Sequence, residues 1–378
     1  MFISNESLSN IYLEELNNAK VKSLIPNTVL IFAFLLASLV GNGLVLFVYK
    51  FKLKSKTDDR YFIPCLALVD MIACSIGATH SISMNFNPFN FRNDLICKLI
   101  WTLHQSISLS SALLLLAIAV QRYIKVSRLL NSSMSLRSKR LTIISILIGS
   151  IVISVPCLVL YGEDEVVLKY ENRTITGYNC GAVPNVNRYF LFGYSVTLLL
   201  MCLSGIFALI ILYCLILRII YRQESFRRRN TYRPNKHSLN VRAQHSSGNT
   251  IQTDISNYNQ QENTNGGSDI KGHISSAIQT GHQSKFVRII CLITRKHRFS
   301  IMFFLITILS CISYLPRIAL MIIESAIASF WDNLTDTEYV IALCVYRGHL
   351  LNTVVNPVIY LVFDTVFRSS CQQLCCRN

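Results

Sequence analysis

The chain has 378 residues, of which 52% are of apolar type and only 15% are charged, and its formal net charge is +16. This mixture is too apolar for a disordered or collagen-like chain and too poor in charge for an ordinary soluble domain of this size. The composition therefore predicts a membrane protein.

Seven segments are long and apolar enough to cross a bilayer, because a spanning helix needs about 20 predominantly apolar residues. They cover residues 28–49, 61–82, 99–121, 141–161, 189–217, 299–323 and 340–363. Most of the 36 Lys and Arg residues lie in the segments that follow spans one, three, five and seven, and cytoplasmic loops carry such an excess. We therefore predict an all-α membrane protein, a seven-transmembrane helix bundle whose N-terminus is outside the cell.

The spans divide the chain into five parts. These are an extracellular N-terminus (1–26), spans one to five (27–221), a long cytoplasmic loop (222–297), spans six and seven (298–363), and a short interfacial helix with a cytoplasmic tail (364–378). The middle of the long loop is rich in Asn, Gln, Ser, Gly and His, so we predict that it is largely disordered. Its two ends, 218–229 and 285–298, are predicted to extend the flanking helices.

The cysteines separate the two sides of the membrane. Only Cys97, at the outer start of span three, and Cys180, between spans four and five, are clearly placed on the oxidising side. We predict that they form a disulfide bond that holds this loop over the outer mouth. Three outer sequons are candidate glycosylation sites: Asn5, Asn172 and Asn333.

An amphipathic stretch follows span seven. Phe363, Val366 and Phe367 fall on one helical face, which predicts a helix lying in the membrane interface. Three cysteines in this region are candidates for palmitoylation, with unmodified thiols as the alternative: Cys371, Cys375 and Cys376.

Five short motifs occur in order along the spans and carry a family resemblance. They are Gly41-Asn42 in span one, Leu66-Ala67-Leu68-Val69-Asp70 in span two, Arg122-Tyr123 in span three, Pro316 in span six and Asn356-Pro357-Val358-Ile359-Tyr360 in span seven. Together with Cys97 they resemble a divergent, peptide-receptor-like member of the rhodopsin-like (class A) G-protein-coupled receptors. The resemblance covers about residues 27–376, apart from the long loop.

The resemblance implies a multi-pass receptor of the plasma membrane. An outer ligand would shift the helix bundle so that its cytoplasmic face opens to a heterotrimeric G protein, with arrestin as a further candidate partner. The chain has no metal, phosphate-loop or nucleophile motif, so neither an enzyme nor a nucleic-acid-binding protein is expected.

The cytoplasmic switch departs from the family pattern at two positions. Most members have an acid before the Arg of span three, which holds the guanidinium in the resting state, whereas this chain has Gln121 before Arg122. A second acid is often found at the foot of span six, where this chain has Lys296. Because both anchors of Arg122 are missing, we predict appreciable signalling without ligand. The alternative is that hydrogen bonds from Gln121 replace the salt bridge.

The remaining switch positions are partly preserved. Tyr213 and Tyr360 match family tyrosines that reach towards the Arg in active states. Tyr314 stands where the family has Trp, and Pro316 predicts a kink in span six. The other candidate switch residues are Tyr123, Asn356 and Pro357. Two further positions depart from the family pattern: Gly205 stands where span five usually has a proline, and Ser310 stands where span six frequently has Phe.

Asp70 is an ionisable residue inside a span, which is costly in lipid and usually faces the bundle interior. The resemblance places Ser111, Asn352 and Asn356 beside it, with Asn42 nearby, and all of them bear oxygen atoms suited to a hard cation. A sodium ion is therefore the candidate cofactor, and no other is expected. A polar network that only holds the helices together is the alternative.

The outer half of the bundle contains the candidate ligand-binding residues. His104 stands where amine receptors have an Asp, and span seven has no Lys for a retinal Schiff base, so both ligands are disfavoured. The large or polar side chains that remain are His104, Gln105, Ser108, Arg317, Glu324, Tyr346, Arg347 and His349. The two arginines are costly at this depth unless they pair with Glu324, with another partner or with an anionic ligand group.

The loop between spans four and five is predicted to form a hairpin lid. Residues 166–170 and 174–178 favour strands on either side of Asn172, and Glu163-Asp164-Glu165 precedes them. This pattern resembles the lid of peptide receptors, and its acids would attract a cationic peptide. We predict a neuropeptide ligand, with a C-terminal amide or carboxylate. The alternatives are a non-peptide small molecule, and a seven-helix transporter or scaffold without G-protein output.

Overall fold

The computed structural model describes residues 5–52, 60–127, 134–170, 173–183, 188–231, 298–327 and 330–375. The chain forms two compact units, residues 1–216 with 298–378, and residues 217–297. The second unit is described over 217–231, which are helical, as predicted for the start of the long loop. The remainder of that loop, including Lys296 and the stretch predicted to be disordered, lies outside the described residues.

The described residues form ten α-helices and one β-hairpin. The helices are α1 (Asn5–Phe47), α2 (Phe62–Phe86), α3 (Asp94–Ser127), α4 (Leu136–Ser154), α5 (Cys157–Leu160), α6 (Arg188–Thr231), α7 (Arg298–Ala326), α8 (Asp336–Arg347), α9 (Leu351–Phe363) and α10 (Thr365–Cys375). A π-helical turn, Val48–Lys52, extends α1, and a 3₁₀ turn, Gly348–Leu350, joins α8 to α9.

The described helices account for the seven predicted spans. Six are long and apolar enough to cross a membrane, and a seventh is formed by Asp336–Phe363, after which the chain bends by 94° into α10. Long apolar side chains remain exposed on these helices, which suits surfaces that face lipid. The seven-helix architecture is therefore confirmed, with α7 as span six and α8 to α9 as span seven.

The first and seventh spans approach each other closely at Gly41. A Cβ atom at this position would lie 2.9 Å from Cγ of Pro357, closer than real Cβ atoms come. Small residues permit such close helix packing inside membranes. The missing side chain of Gly41 thus allows span one to lie directly against Pro357 of span seven.

The bend after α9 is stabilised by the buried side chain of Asp364. Its carboxylate accepts hydrogen bonds from the backbone N–H groups of Val366 (3.0 Å) and Phe367 (3.2 Å), so it caps the start of α10. It also accepts from the Tyr49 hydroxyl at 2.9 Å and pairs with Arg60 at 3.2 Å. The predicted amphipathic helix is present: Phe367 is fully buried against the bundle, whereas Val366, predicted on the same face, is 39% exposed.

The predicted hairpin is present and longer than expected. Strand β1 (Tyr161–Tyr170) pairs antiparallel with β2 (Arg173–Ala182), with Glu163 opposite Cys180. The backbone of Tyr178 exchanges hydrogen bonds with the loop between α2 and α3, through Phe89 (2.8 Å) and Phe91 (2.9 Å). The hairpin is therefore attached to the outer end of the bundle by backbone bonds as well as by side chains.

The N-terminal part of α1 was not expected to be helical. Helix α1 begins at Asn5, far before the predicted span, and it contains Pro26. The Tyr12 ring lies 5.0 Å from the Tyr170 ring of the hairpin, and Lys20 forms a 2.8 Å ion pair with Asp336 at the start of α8. The extracellular end of α1 thus contacts both the hairpin and the outer end of span seven.

Candidate functional site

A chain of buried polar residues runs through the middle of the bundle. We call it the central polar seam and define it as Asn42, Asp70, Ser111, Ser310, Asn352 and Asn356. Every member is at most 4% exposed. These residues come from α1, α2, α3, α7 and α9, so the seam is shared by five of the spans.

Asp70 is the charged member of the seam and is completely buried. One carboxylate oxygen accepts a 2.6 Å hydrogen bond from the Ser111 hydroxyl, and the other accepts a 2.6 Å hydrogen bond from the Asn356 amide nitrogen. Hydrogen bonds to a charged group are stronger than neutral ones, which offsets part of the cost of burying the carboxylate. Asp70 therefore connects α2 to both α3 and α9.

Two of the residues expected beside Asp70 have other partners. Asn352 accepts a hydrogen bond from Ser310 of α7, and Asn42 donates to the backbone carbonyl of Thr353 at 2.8 Å. Asn352 thus ties α9 to α7, and Asn42 ties α1 to α9. The Ser310 to Asn352 link was not predicted.

The oxygen atoms of the seam fit a sodium ion. Asn42 Oδ1 and Asn356 Oδ1 are buried and have no hydrogen-bond partner within the described part of the chain. Together with the carboxylate of Asp70 they form an all-oxygen donor set, the kind that hard cations prefer. The described residues contain no group of three or more His, Cys, Asp and Glu side chains that could hold a metal ion.

The cytoplasmic switch residues lie close to aromatic rings. Gln121 and Arg122 are 6% and 5% exposed, and the Arg122 guanidinium carbon is 5.1 Å from the centre of the Phe303 ring of α7. Tyr213 packs its ring 5.1 Å from Phe304. Tyr123, the next residue of α3 after Arg122, is partly buried.

Two candidate switch residues with aromatic rings lie at different depths of the bundle. Tyr360 is fully buried, and its hydroxyl has no hydrogen-bond partner among the residues that the structure describes. Tyr314, which stands at the family's Trp position, donates a 3.3 Å hydrogen bond to the backbone carbonyl of Ser108. It therefore links α7 to α3, whereas Pro316, two residues later, is exposed.

Five of the candidate ligand-binding residues lie together with two further residues in an outer cluster, defined as His80, Trp101, His104, Gln105, Arg317, Tyr346 and His349; Ser108, Glu324 and Arg347 are not part of it. His104 and His349 lie 3.2 Å apart through their Nε2 atoms, and His349 Nδ1 is 3.0 Å from the Tyr346 carbonyl oxygen. The Arg317 guanidinium donates to Gln105 at 3.3 Å and lies 5.6 Å from the Tyr346 ring centre. Spans three, six and seven meet at this cluster.

His80 and Trp101 belong to this cluster but were not predicted. Their rings are 5.3 Å apart, and Trp101 stacks at 4.1 Å on Tyr161 of the hairpin. His80 Nδ1 and Trp101 Nε1 are buried without a hydrogen-bond partner in the described chain. Trp101 is one of only two tryptophans in the sequence, and this was the signal that could have identified it.

Arg347 has partners that were also missed. Its guanidinium donates to the side-chain oxygens of Asn27, at 2.5 Å, and of Asn85, at 2.7 Å. Asn85 in turn donates to the Thr28 hydroxyl at 2.9 Å. Asn27 and Asn85 lie just outside the predicted spans one and two, and neither was predicted to contact Arg347.

Glu324 does not pair with either arginine. Arg347 is held by neutral amides, and Arg317 has no carboxylate partner among the described residues. Of the partners left open for the two arginines, the described residues thus show side-chain amides rather than Glu324.

The hairpin and the predicted disulfide bond close over this cluster. Cys97 and Cys180 are bonded, which confirms the predicted disulfide bond. The backbone N–H of Glu163 donates to the Asp94 carboxylate at 3.1 Å. Burial raises the pKa of the Asp164 carboxyl above its usual range, whereas Glu165 is exposed. The hairpin thus presents acids at the outer end of the bundle.

The modification candidates are only partly described. Asn333 is exposed in the turn before α8, Asn5 begins α1, and Asn172 lies outside the described residues. Cys371 is buried on the protein side of α10, Cys375 ends that helix, and Cys376 is outside the described part.

These features describe a bundle of seven membrane-spanning helices with a buried polar seam and a cluster of polar and aromatic side chains at its outer end. The model of the rhodopsin family of seven-transmembrane receptors matches residues 41–360. The chain belongs to this family and is a multi-pass protein of the plasma membrane.

Curated relatives match at modest identity and are named as receptors. The chain is 27% identical over 139 residues to Tachykinin-like peptides receptor 99D of Drosophila melanogaster, which covers 36% of this chain and 26% of the relative. It is 26% identical over 209 residues to purinoceptor 1 of Gallus gallus and of Meleagris gallopavo, which covers 54% of this chain and 57% of each relative. The match thus covers about a quarter of the length of the Drosophila relative and somewhat more than half of the length of the two purinoceptors.

Proposed function

We propose that the protein couples binding of an extracellular ligand to activation of a heterotrimeric G protein, and that the ligand is a neuropeptide. The observation that carries the proposal is the central polar seam, in which Asp70 bridges α2 to α3 and α9 while Ser310 bridges α7 to Asn352. A membrane protein retains a buried carboxylate of this kind where the residue serves function, because the burial itself is costly.

The seam can act as a relay because its hydrogen bonds are individually weak. Interhelical hydrogen bonds in a measured membrane protein average about 0.6 kcal/mol, so a few can be exchanged at low cost. A ligand that prefers one packing by about 1.4 kcal/mol shifts the two populations tenfold. Tyr314 extends the relay outwards through Ser108, and Arg122 lies at its cytoplasmic end.

The hairpin and the outer part of α1 support a peptide ligand. Together they present a long rim with the acids Glu163, Asp164 and Glu165, which suits an extended cationic chain. A two-stranded sheet at this rim offers a strand with which an extended peptide can pair, one common mode of peptide recognition. The similarity to a relative named for tachykinin-like peptides agrees with this proposal.

A non-peptide anionic molecule is the second candidate ligand. Arg317 is 3% exposed and has no carboxylate partner in the described chain, and His80 and Trp101 each keep a buried ring nitrogen without a partner. These nitrogens could donate to a phosphate or carboxylate oxygen. Two relatives named as purinoceptors favour keeping this candidate.

A peptide-library screen on cells that express the full chain, read by a promiscuous G-protein reporter, tests the proposal. We expect at least one peptide to raise the signal in cells with the wild-type receptor, and not in cells whose Arg122→Ala variant reaches the surface equally well. If nucleotides or small acids activate the receptor and no peptide does, the second candidate replaces the first. If neither class changes the signal of a surface-expressed receptor, the proposed function is wrong.

A further inference from the structure

A cavity lies between α3, α6 and α7, at and below the level of Tyr314. Small residues from all three helices line it, among them Ala112, Gly205 and Ser310. An added Cβ on Gly205 would meet no atom within 4 Å, so the space beside this glycine is open.

The cavity is lined mainly by apolar side chains. Its walls include Leu109, Leu113, Leu198, Met201, Ile206 and Met321. The Thr307 hydroxyl donates to the Phe303 carbonyl oxygen at 2.8 Å, and the Ser310 hydroxyl donates to Asn352, so neither offers the cavity a free donor. From Thr307 to Arg317 the lining of α7 extends about 15 Å along the helix axis.

One end of the cavity is different, because Arg317 and Gln105 line it. Arg317 is 3% exposed, and its Nε atom has no hydrogen-bond partner among the described residues. Its guanidinium donates to the neutral Gln105, at 3.3 Å, and no described carboxylate pairs with it. A buried cation without a counter-charge is expensive. The cavity therefore combines an apolar body with a positive end.

We propose that this cavity binds an apolar monocarboxylate, with its carboxylate on Arg317 and its apolar body beside Ala112 and Gly205. The cavity volume is about 140 Å³, and a dry cavity of about 150 Å³ in another protein binds benzene, which sets the body at about six to eight heavy atoms. The source is either a free acid or the C-terminal residue of a peptide, since both present this chemistry.

The inference deepens the proposed function, on which it rests for the role of the ligand. A ligand carboxylate bound to Arg317 would contact α7, the helix that also carries Tyr314. The apolar body of the ligand would lie beside Ser310, which donates a hydrogen bond to Asn352. Occupation of the cavity would therefore act on the α7 end of the central polar seam.

The test uses the purified full-length receptor in nanodiscs, with octanoate as the probe and thermal stability and saturation-transfer NMR as measurements of binding. Wild-type receptor is expected to bind octanoate at least about tenfold more tightly than octanol or octylamine, because only the carboxylate pairs with Arg317. Equal binding of octylamine and octanoate, or no binding of octanoate, would overturn the proposal. This ligand series needs no variant and is therefore independent of folding defects.

Two variants and one matched control locate the site. Gly205→Leu fills the open space and is expected to weaken octanoate binding at least about tenfold, and Arg317→Gln is expected to reduce it to the octanol level. Gly193→Leu is the control, because Gly193 also lies on α6 with no atom within 4 Å of an added Cβ but does not line the cavity. Unchanged octanoate binding by a folded Gly205→Leu receptor would contradict the assigned place.

Peptide competition then distinguishes the two sources. The peptides tested end in Phe, either with a free carboxylate or as the matched amide. If the free carboxylates displace octanoate and the amides do not, the site binds a peptide C-terminus. If neither displaces a bound octanoate, the free acid is the source. Octanoate binding without any G-protein response would support this inference and contradict the proposed function. A peptide-driven G-protein response without octanoate binding would support the proposed function and contradict this inference.

Discussion

The Ser111 hydroxyl donates a 2.6 Å hydrogen bond to the carboxylate of Asp70, joining the third span to the second at a point where both residues are completely buried. Asn356 of the seventh span donates to the other oxygen of the same carboxylate. Three spans therefore meet on one charge, and any movement of α3 against α9 must change the surroundings of that charge.

The first prediction concerns sodium at the central polar seam. Sodium chloride is expected to raise the melting temperature of the purified wild-type receptor above its value in an equal concentration of N-methylglucamine chloride. Asp70→Asn should abolish this difference, because the variant removes the charge that would attract the cation. Asp164→Asn, a change in the hairpin, is the control and should retain the difference. A sodium effect of the same size in the Asp70→Asn receptor would contradict the sodium site.

The second prediction concerns the partners of Arg347. Replacing Asn85 by alanine removes one of two amide oxygens from a buried guanidinium, which should cost about 1–3 kcal/mol of stability. The exposed Asn90 is the control position, where alanine should change the stability little. Chemical denaturation in detergent, followed by tryptophan fluorescence, gives the difference.

A double-mutant cycle sharpens this test. The combined loss in Asn85→Ala with Arg347→Gln should be smaller than the sum of the two single losses, because the two side chains are partners. Strict additivity would show that the contact contributes no coupling energy, against the geometry.

The third prediction concerns the disulfide bond between Cys97 and Cys180, which are separated by 83 residues. Closing a loop of this size constrains the unfolded chain, and its loss is expected to cost about 4 kcal/mol. Cys97→Ser should therefore lower surface expression and the melting temperature. Cys214→Ser, a change of an exposed free cysteine on α6, should leave both unchanged. Equal melting temperatures for the two variants would argue against a stabilising role for the bond.

The fourth prediction concerns ligand-free signalling. Gln121 is buried next to Arg122, so Gln121→Glu should place a carboxylate beside the guanidinium and favour the resting state. A bias of about 1.4 kcal/mol would lower basal output tenfold. Gln372→Glu, on the exposed side of α10, is the control and should have no effect. Basal output at the level of untransfected cells, unchanged by Gln121→Glu, would rule out the prediction.

Much of the architecture could be predicted because a bilayer imposes simple requirements on sequence. The thickness of the hydrocarbon sets the length of each span, and the oxidising compartment singles out Cys97 and Cys180. The hairpin around Asn172 and the amphipathic α10 were also visible as local patterns. In each case the signal lies within one segment or depends on which side of the membrane the segment occupies.

What could not be predicted depends on which side chains meet across the bundle. Asn27 and Asn85 accept hydrogen bonds from Arg347 although they are far apart in sequence. Asn352, which was expected beside Asp70, accepts a hydrogen bond from Ser310 instead. The helical extension at the N-terminus of α1 is polar and carries no span signal, but it packs on the hairpin through Tyr12. Such partners follow from helix rotation and tilt, which hydropathy does not specify.

Nucleotide exchange on purified G proteins tests the central claim most directly. The full-length receptor in nanodiscs is mixed with heterotrimers of each class, with and without peptides from the screen, and the rate of guanine-nucleotide exchange is measured. The account predicts faster exchange than empty nanodiscs produce for at least one class, and loss of that acceleration in Arg122→Ala. Exchange at the empty-nanodisc rate for every class, from a receptor with its Cys97 to Cys180 bond intact, would contradict it.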